Sequence, residues 1–123
     1  MKNLIILIFL INSYLCAAQD ISCNEAIAII KDKGWVKETK PSWVLQSSWL
    51  KKVTAYDYNY KIYVVAEIKP NEYSYSTKSY IFCNIPSSNW SQFSRVSFDY
   101  GAGKLTYGEK FHKYIFDYKC DCY

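Results

Sequence analysis

The chain has 123 residues, 19% of them aromatic, with five cysteines and a formal net charge of +4 at pH 7. That length leaves room for one hydrophobic core and excludes a second. The charge is too small to imply nucleic acid by itself, and the lysines read as a solvated surface.

The first residues read as a leader. Lys2 supplies a positive start, Leu4–Ile11 an apolar run, and Cys16-Ala17-Ala18 a small-residue cleavage site. This is the layout of a secretory signal peptide, and the run is far below the ~20 apolar residues that span a bilayer. Residues 1–18 are therefore assigned as a signal peptide cleaved after Ala18. Removing 18 of 123 residues leaves 105, about one domain. The expected location is secreted or periplasmic, with no stable membrane insertion after cleavage.

Residues 19–43 read as a helix and a connector. Ser22 and Glu25 have capping-box spacing, Ala26–Ile30 is apolar, and Lys31–Lys33 followed by Gly34 closes the helix. Trp35–Ser42 reads as the connector, with Pro41 interrupting regular structure. From Trp43 the pattern changes to period two. Trp49–Tyr56 is a predicted strand, and Asp57-Tyr58-Asn59 the turn, without the Gly of a tight hairpin. Tyr60, Ile62, Val64, Ala66 and Ile68 then share one strand face, and Lys61, Tyr63, Val65 and Glu67 the other.

Lys69–Glu72 breaks that strand, and Tyr73–Lys78 reads as a hairpin tip. Tyr80–Ile85 is a further strand, with Ile81, Cys83 and Ile85 on one face and Tyr80 and Phe82 on the other. Pro86 opens a helix whose stripe is Trp90, Phe93 and Val96. Gly101-Ala102-Gly103 reads as a loop, and a lone Gly-x-Gly is weak evidence for a phosphate cradle. The C-terminus fits two patterns. His112, Tyr114, Phe116, Tyr118, Cys120 and Cys122 alternate as in a strand, whereas Phe111, Tyr114, Ile115, Tyr118 and Cys122 fit a helical face. The strand is the reading adopted. The resulting fold class is α+β, a small antiparallel β-meander of three to four strands packed by one or two helices.

Loss of Cys16 with the leader leaves Cys23, Cys83, Cys120 and Cys122. An even count in an exported chain favours disulfides. Residues two apart are poorly placed to bond each other, so Cys120 and Cys122 are expected to reach separately towards Cys23 and Cys83. Which reaches which is left open. A metal site of these cysteines with His112 lacks the closely paired ligands of a zinc motif.

From Val44 to about Tyr118 an ordered series of pieces resembles the KTSC family, a short module named for its place at the C-terminus of some lysyl-tRNA synthetases. Ser47-Ser48 precedes Val53-Thr54-Ala55-Tyr56-Asp57, like the family's Ser-Ser opening and Tyr-Asp turn. Lys61–Ile68 is similar to its second strand, and Tyr80-Ile81-Phe82 stands where it has Tyr-x-Tyr. Ile85-Pro86 with Trp90 and Phe93 resembles its Val-Pro and helix, and Ser97, Gly101, Ile115 and Tyr118 its closing elements. Phe82 departs from the second Tyr, and the Gly usual in the second hairpin is missing from Lys69–Lys78. The resemblance implies a KTSC-like α+β domain over 44–123, not an enzyme, with RNA binding as the activity proposed for the family.

No catalytic set stands out. Ser47, Ser48, Ser97, Asp99 and His112 lack a nucleophile elbow. The carboxylates Asp57, Glu67, Glu72, Asp99, Glu109, Asp117 and Asp121 are scattered among lysines. No cofactor is expected. Thirteen tyrosines and four tryptophans are the larger signal. With Ile81 inward, Tyr80 and Phe82 face outward beside Tyr63, an aromatic face able to stack on a protein, peptide or glycan. An exported, non-catalytic binding module is the leading expectation, with Tyr63, Tyr80 and Phe82 as contacts. The alternative is an RNA binder that stacks bases on Tyr80 and Phe82, steered by Lys51, Lys52, Lys61 and Lys78. The competing structural reading has the N-terminal helix or the C-terminal segment covering this face, making it a second core.

Overall fold

The computed structural model describes residues 21–96 and 104–123, so the leader assignment and the readings of Ser97, Asp99 and Gly101-Ala102-Gly103 fall outside it. The architecture is α+β: a four-stranded antiparallel sheet in the order β1-β2-β3-β4, with helices on both faces. The elements are α1 (Cys23–Lys33), β1 (Trp35–Lys40), α2 (Ser42–Leu45), β2 (Leu50–Tyr58), β3 (Lys61–Ile68), β4 (Lys78–Phe82), α3 (Ser87–Ser94) and α4 (Tyr107–Tyr114). A 3-10 turn, Phe116–Tyr118, leads into the C-terminal tail.

Helix α1 starts where the sequence places it. The Glu25 backbone N–H donates to the Ser22 hydroxyl at 3.1 Å, and the Gly34 N–H closes the helix on the Ile30 carbonyl at 2.8 Å. Gly34 is required for close approach, because a Cβ there would lie 2.7 Å from the Ile30 carbonyl oxygen. Ile27 and Ile30 face the sheet.

The expected connector is in fact an edge strand. Trp35–Lys40 pairs with β2 from Trp35↔Asp57 to Lys40↔Val53, with a bulge at Lys37. The strand is largely exposed, so it lacks the buried alternation that marks a strand in a sequence. Its lysines and bulge also blunt an edge that would otherwise invite pairing with another chain. Strand β1 thus joins the sheet formed by β2–β4, and α1 packs on one face of it.

The β2–β3 turn is tighter than Asp57-Tyr58-Asn59. Tyr58 pairs directly with Lys61, and the two central residues, Asn59 and Tyr60, have φ of 49° and 61°. This is the left-handed geometry of a two-residue primed turn, normally filled by Asn-Gly. The fully exposed Tyr60 ring gives nothing in return for the strain of its Cβ. Tyr60→Gly is expected to raise stability by up to about 1 kcal/mol in urea unfolding; a destabilised variant would contradict this geometry.

The main core lies on one sheet face. Leu50, Val53, Ala55, Ile62, Val64, Ala66 and Phe82 meet Trp90, Phe93, Phe111 and Ile115 from α3 and the α4 region. The other face carries Tyr56, Val65 and Ile81 under Ile27 and Ile30 of α1. The strand expected at the C-terminus is instead α4, a 3-10 turn and a tail. Thr106 and Glu109 close a capping box at the start of α4, which aims Phe111 and Ile115 at the sheet. The tail borders the outer edge of β4: Cys83 N–H donates to the Tyr118 carbonyl at 2.7 Å, and Ile81 N–H to the Tyr123 hydroxyl at 2.7 Å. β4 ends at Phe82, and Asn84, with φ 55°, turns the chain so that Ile85 joins the main core instead of the face of Ile81 and Cys83.

Candidate functional site

The aromatic face expected from Tyr63, Tyr80 and Phe82 is not assembled. Phe82 is 0% exposed, wedged edge-on against Phe111 with ring centroids 5.2 Å apart. Tyr80 shares its side of β4, half-buried against the main core and 6.0 Å from the Tyr123 ring. Tyr63 packs with the opposite cluster, beneath α1. The C-terminal helix covers the face that the alternation left outward. Lys78 is exposed and lies over the Tyr80 ring at 5.2 Å, away from Lys61 and Tyr63. Lys51 is engaged by the Ser47 carbonyl at 2.8 Å.

What the structure does bring together is a groove of about 670 Å³ on the α1 side of the sheet. Ala26, Ile29 and Ile30 of α1 form one bank. Tyr58, Lys61 and Tyr63 of the β2–β3 hairpin form the floor at one end, with the two tyrosine rings 6.3 Å apart. The second bank is the 117–122 segment, which carries Asp117, Lys119 and Asp121. Two of the five expected binding residues, Lys61 and Tyr63, thus line one site.

The disulfides make this second bank. Cys23 joins Cys122, tying α1 to the tail, and Cys83 joins Cys120, tying the end of β4 to it. Cys120 and Cys122 do reach separate partners, and all four cysteines are consumed, leaving no thiolate among them for metal. Two disulfides fit an extracellular or otherwise oxidising environment. No helix among the described residues is long and apolar enough to cross a membrane.

The groove's charges are uncommitted. Among the described residues the ion pairs are Lys37–Asp57 at 3.9 Å and Lys40–Glu38 at 3.1 Å, and neither includes Lys61, Asp117, Lys119 or Asp121. Lys119 instead lies over the Phe116 ring at 4.4 Å. All four are exposed, so each keeps its hydration until a partner replaces it. Asn84, held at positive φ, also lines the groove. The signal that could have found this site is the Cys-x-Cys pair with its flanking charges, since two bridges from adjacent positions force the tail across α1 and β4.

A second hollow, of about 290 Å³, holds Ser47, Ser48, Glu109 and His112. Ser47, Glu109 and His112 each have a local structural role there. Ser47 Oγ accepts from the backbone N–H groups of Trp49 and Leu50 at 3.3 and 3.0 Å. Glu109 Oε1 accepts from the Thr106 hydroxyl and backbone N–H. The His112 ring sits between Trp49 and Phe116, with centroids at 5.1 and 4.9 Å. No serine is hydrogen-bonded to His112 among the described residues. Compared with family models, with curated proteins and with solved structures, the chain finds no match.

Proposed function

We propose that the protein is an exported, disulfide-stapled binding module that takes a short peptide segment of mixed charge into the groove between α1, the β2–β3 hairpin and the C-terminal tail. The observation that carries this is the pairing of an apolar bank and two tyrosines with two lysines and two aspartates lacking ion-pair partners among the described residues. The volume of about 670 Å³ lies within the ~300–1,000 Å³ typical of binding pockets. Tyr63 is the natural anchor, because its ring can pack while its hydroxyl stays wet. A glycan would use the tyrosines but leave the four charges unanswered, so a peptide is the better complement.

Export is part of the proposal and rests on the leader at 1–18 together with the two disulfides. So is membership of the KTSC family, which rests on the ordered pieces between Ser47 and Tyr118 and on the α+β fold. Stacking of RNA bases on a Tyr80–Phe82 pair finds no support, because Phe82 lies inside the core.

The test is selection from a displayed library of random short peptides on the oxidised protein. Enriched peptides carrying both charges, and binding weakened about tenfold or more by Tyr63→Ala, are expected. Circular dichroism verifies that the variant is folded. Enriched peptides that bind the folded Tyr63→Ala and Lys61→Glu variants as tightly as the parent would remove the groove from the account. Selection of RNA ligands but no peptides would favour the other class of partner.

A further inference from the structure

Lys110 is the one charged residue buried among the described residues, at 6% exposure on α4. Its ammonium donates to the Arg95 backbone carbonyl at 2.7 Å and sits 4.1 Å from the centre of the Tyr107 ring. A carbonyl dipole and a ring face stabilise a cation, but neither neutralises it. A second ammonium, that of Lys40, lies 5.8 Å from the same ring.

The surroundings add charge instead of cancelling it. Burial, then the positive charges of Lys40, Lys104 and Arg95, push the Lys110 ammonium towards its neutral form. Among the described residues, the one carboxylate within ion-pair distance of these four cations is Glu38, 3.1 Å from Lys40. The Tyr107 hydroxyl is buried with no hydrogen-bond partner among the described residues. A buried hydroxyl left without a bond costs on the order of 1–3 kcal/mol, so an acceptor brought to the Tyr107 hydroxyl would be favoured.

We propose that Lys40, Lys110 and Tyr107 form a binding site for a phosphate-class oxyanion, free or as a monoester. Such an anion supplies several acceptor oxygens and two negative charges, enough to bond both ammoniums and the Tyr107 hydroxyl together. A carboxylate, with one charge, would leave the second ammonium unneutralised. The site uses no residue of the groove and stands independently of the peptide reading.

Calorimetric titration of the oxidised full-length domain with inorganic phosphate and with glycerol phosphate, against sodium chloride at matched ionic strength, tests it. Saturable binding of one or both phosphates is expected, about tenfold weaker or worse in Lys110→Met and in Tyr107→Phe. Tyr107→Phe retains the ring and serves as the probe should the lysine variant fail to fold. Tighter binding of the monoester identifies a phosphorylated ligand as the source, and tighter binding of phosphate the free ion. Heats that match chloride, or phosphate binding unchanged by Tyr107→Phe and by Lys40→Gln, would overturn the site.

Discussion

Replacing Cys23 and Cys122 by alanine is expected to lower folding stability by about 4–5 kcal/mol. The bond spans 99 residues of sequence, so it closes nearly the whole described chain into one ring. By the loop-entropy argument, releasing a ring of that size restores more freedom to the unfolded chain than any other single covalent change here. A small domain has only about 5–15 kcal/mol in total, so the variant should sit near its unfolding midpoint at modest urea. The Cys83–Cys120 ring, spanning 37 residues, lies within the larger one, and its loss is expected to cost somewhat less, roughly 3–4 kcal/mol. Urea unfolding of each double-alanine variant measures this. A Cys23→Ala/Cys122→Ala protein within about 1 kcal/mol of the parent would show that the tail docks without its bond. The consequence reaches the groove, because the tail is one of its banks.

The second large effect is at Phe82. Truncation to alanine is expected to cost about 3–5 kcal/mol. Its ring is fully buried between Phe111 at 5.2 Å and Phe116 at 6.3 Å, and Phe93 also touches Phe111, at 5.8 Å. Removing it leaves a void at the junction of sheet and C-terminal helix, where four aromatic rings share contacts and cannot all move inward. Chemical denaturation is the direct check. An exposed contact residue would change stability by no more than about 0.5 kcal/mol, so a small effect at Phe82 would return it to the surface. The two outcomes separate a core residue from a binding residue without knowledge of the ligand.

Phe82 also shows where sequence patterning stops. Alternation assigns Tyr80 and Phe82 to one face and Ile81 to the other, and the structure keeps that division. What alternation cannot say is which face is solvated, and here neither is fully so. Helices lie against both, so inward and outward lose their usual meaning. The central strands were legible because β2 and β3 sit at the centre of the sheet with both faces covered, buried without a break over Val53–Tyr56 and Val64–Ala66. Strand β1 was not, because an exposed edge is held by backbone pairing, which leaves no apolar pattern.

The C-terminus was legible through a signal that the alternation masked. Thr106 and Glu109 have the spacing of a capping box, and Phe111 and Ile115 follow at helical distance. Read from its cap, that segment is a helix; read from Tyr114, Phe116 and Tyr118 alone, it alternates. The groove was only half legible. Lys61 and Tyr63 stand on a strand whose faces the pattern defines, whereas Asp117, Lys119 and Asp121 meet them through two disulfides that bring together residues far apart in sequence. Pairing of cysteines is a three-dimensional fact, and the count alone left it open.

The measurement that bears most directly on the groove is amide chemical-shift mapping with the tightest peptide obtained by selection. Shifts concentrated at Tyr58, Lys61, Tyr63, Lys119 and Asp121, with the sheet's far side unperturbed, are the expected result. Shifts confined to the exposed Trp35 and Trp43, or to Tyr107 and Lys110, with the groove silent, would contradict the account.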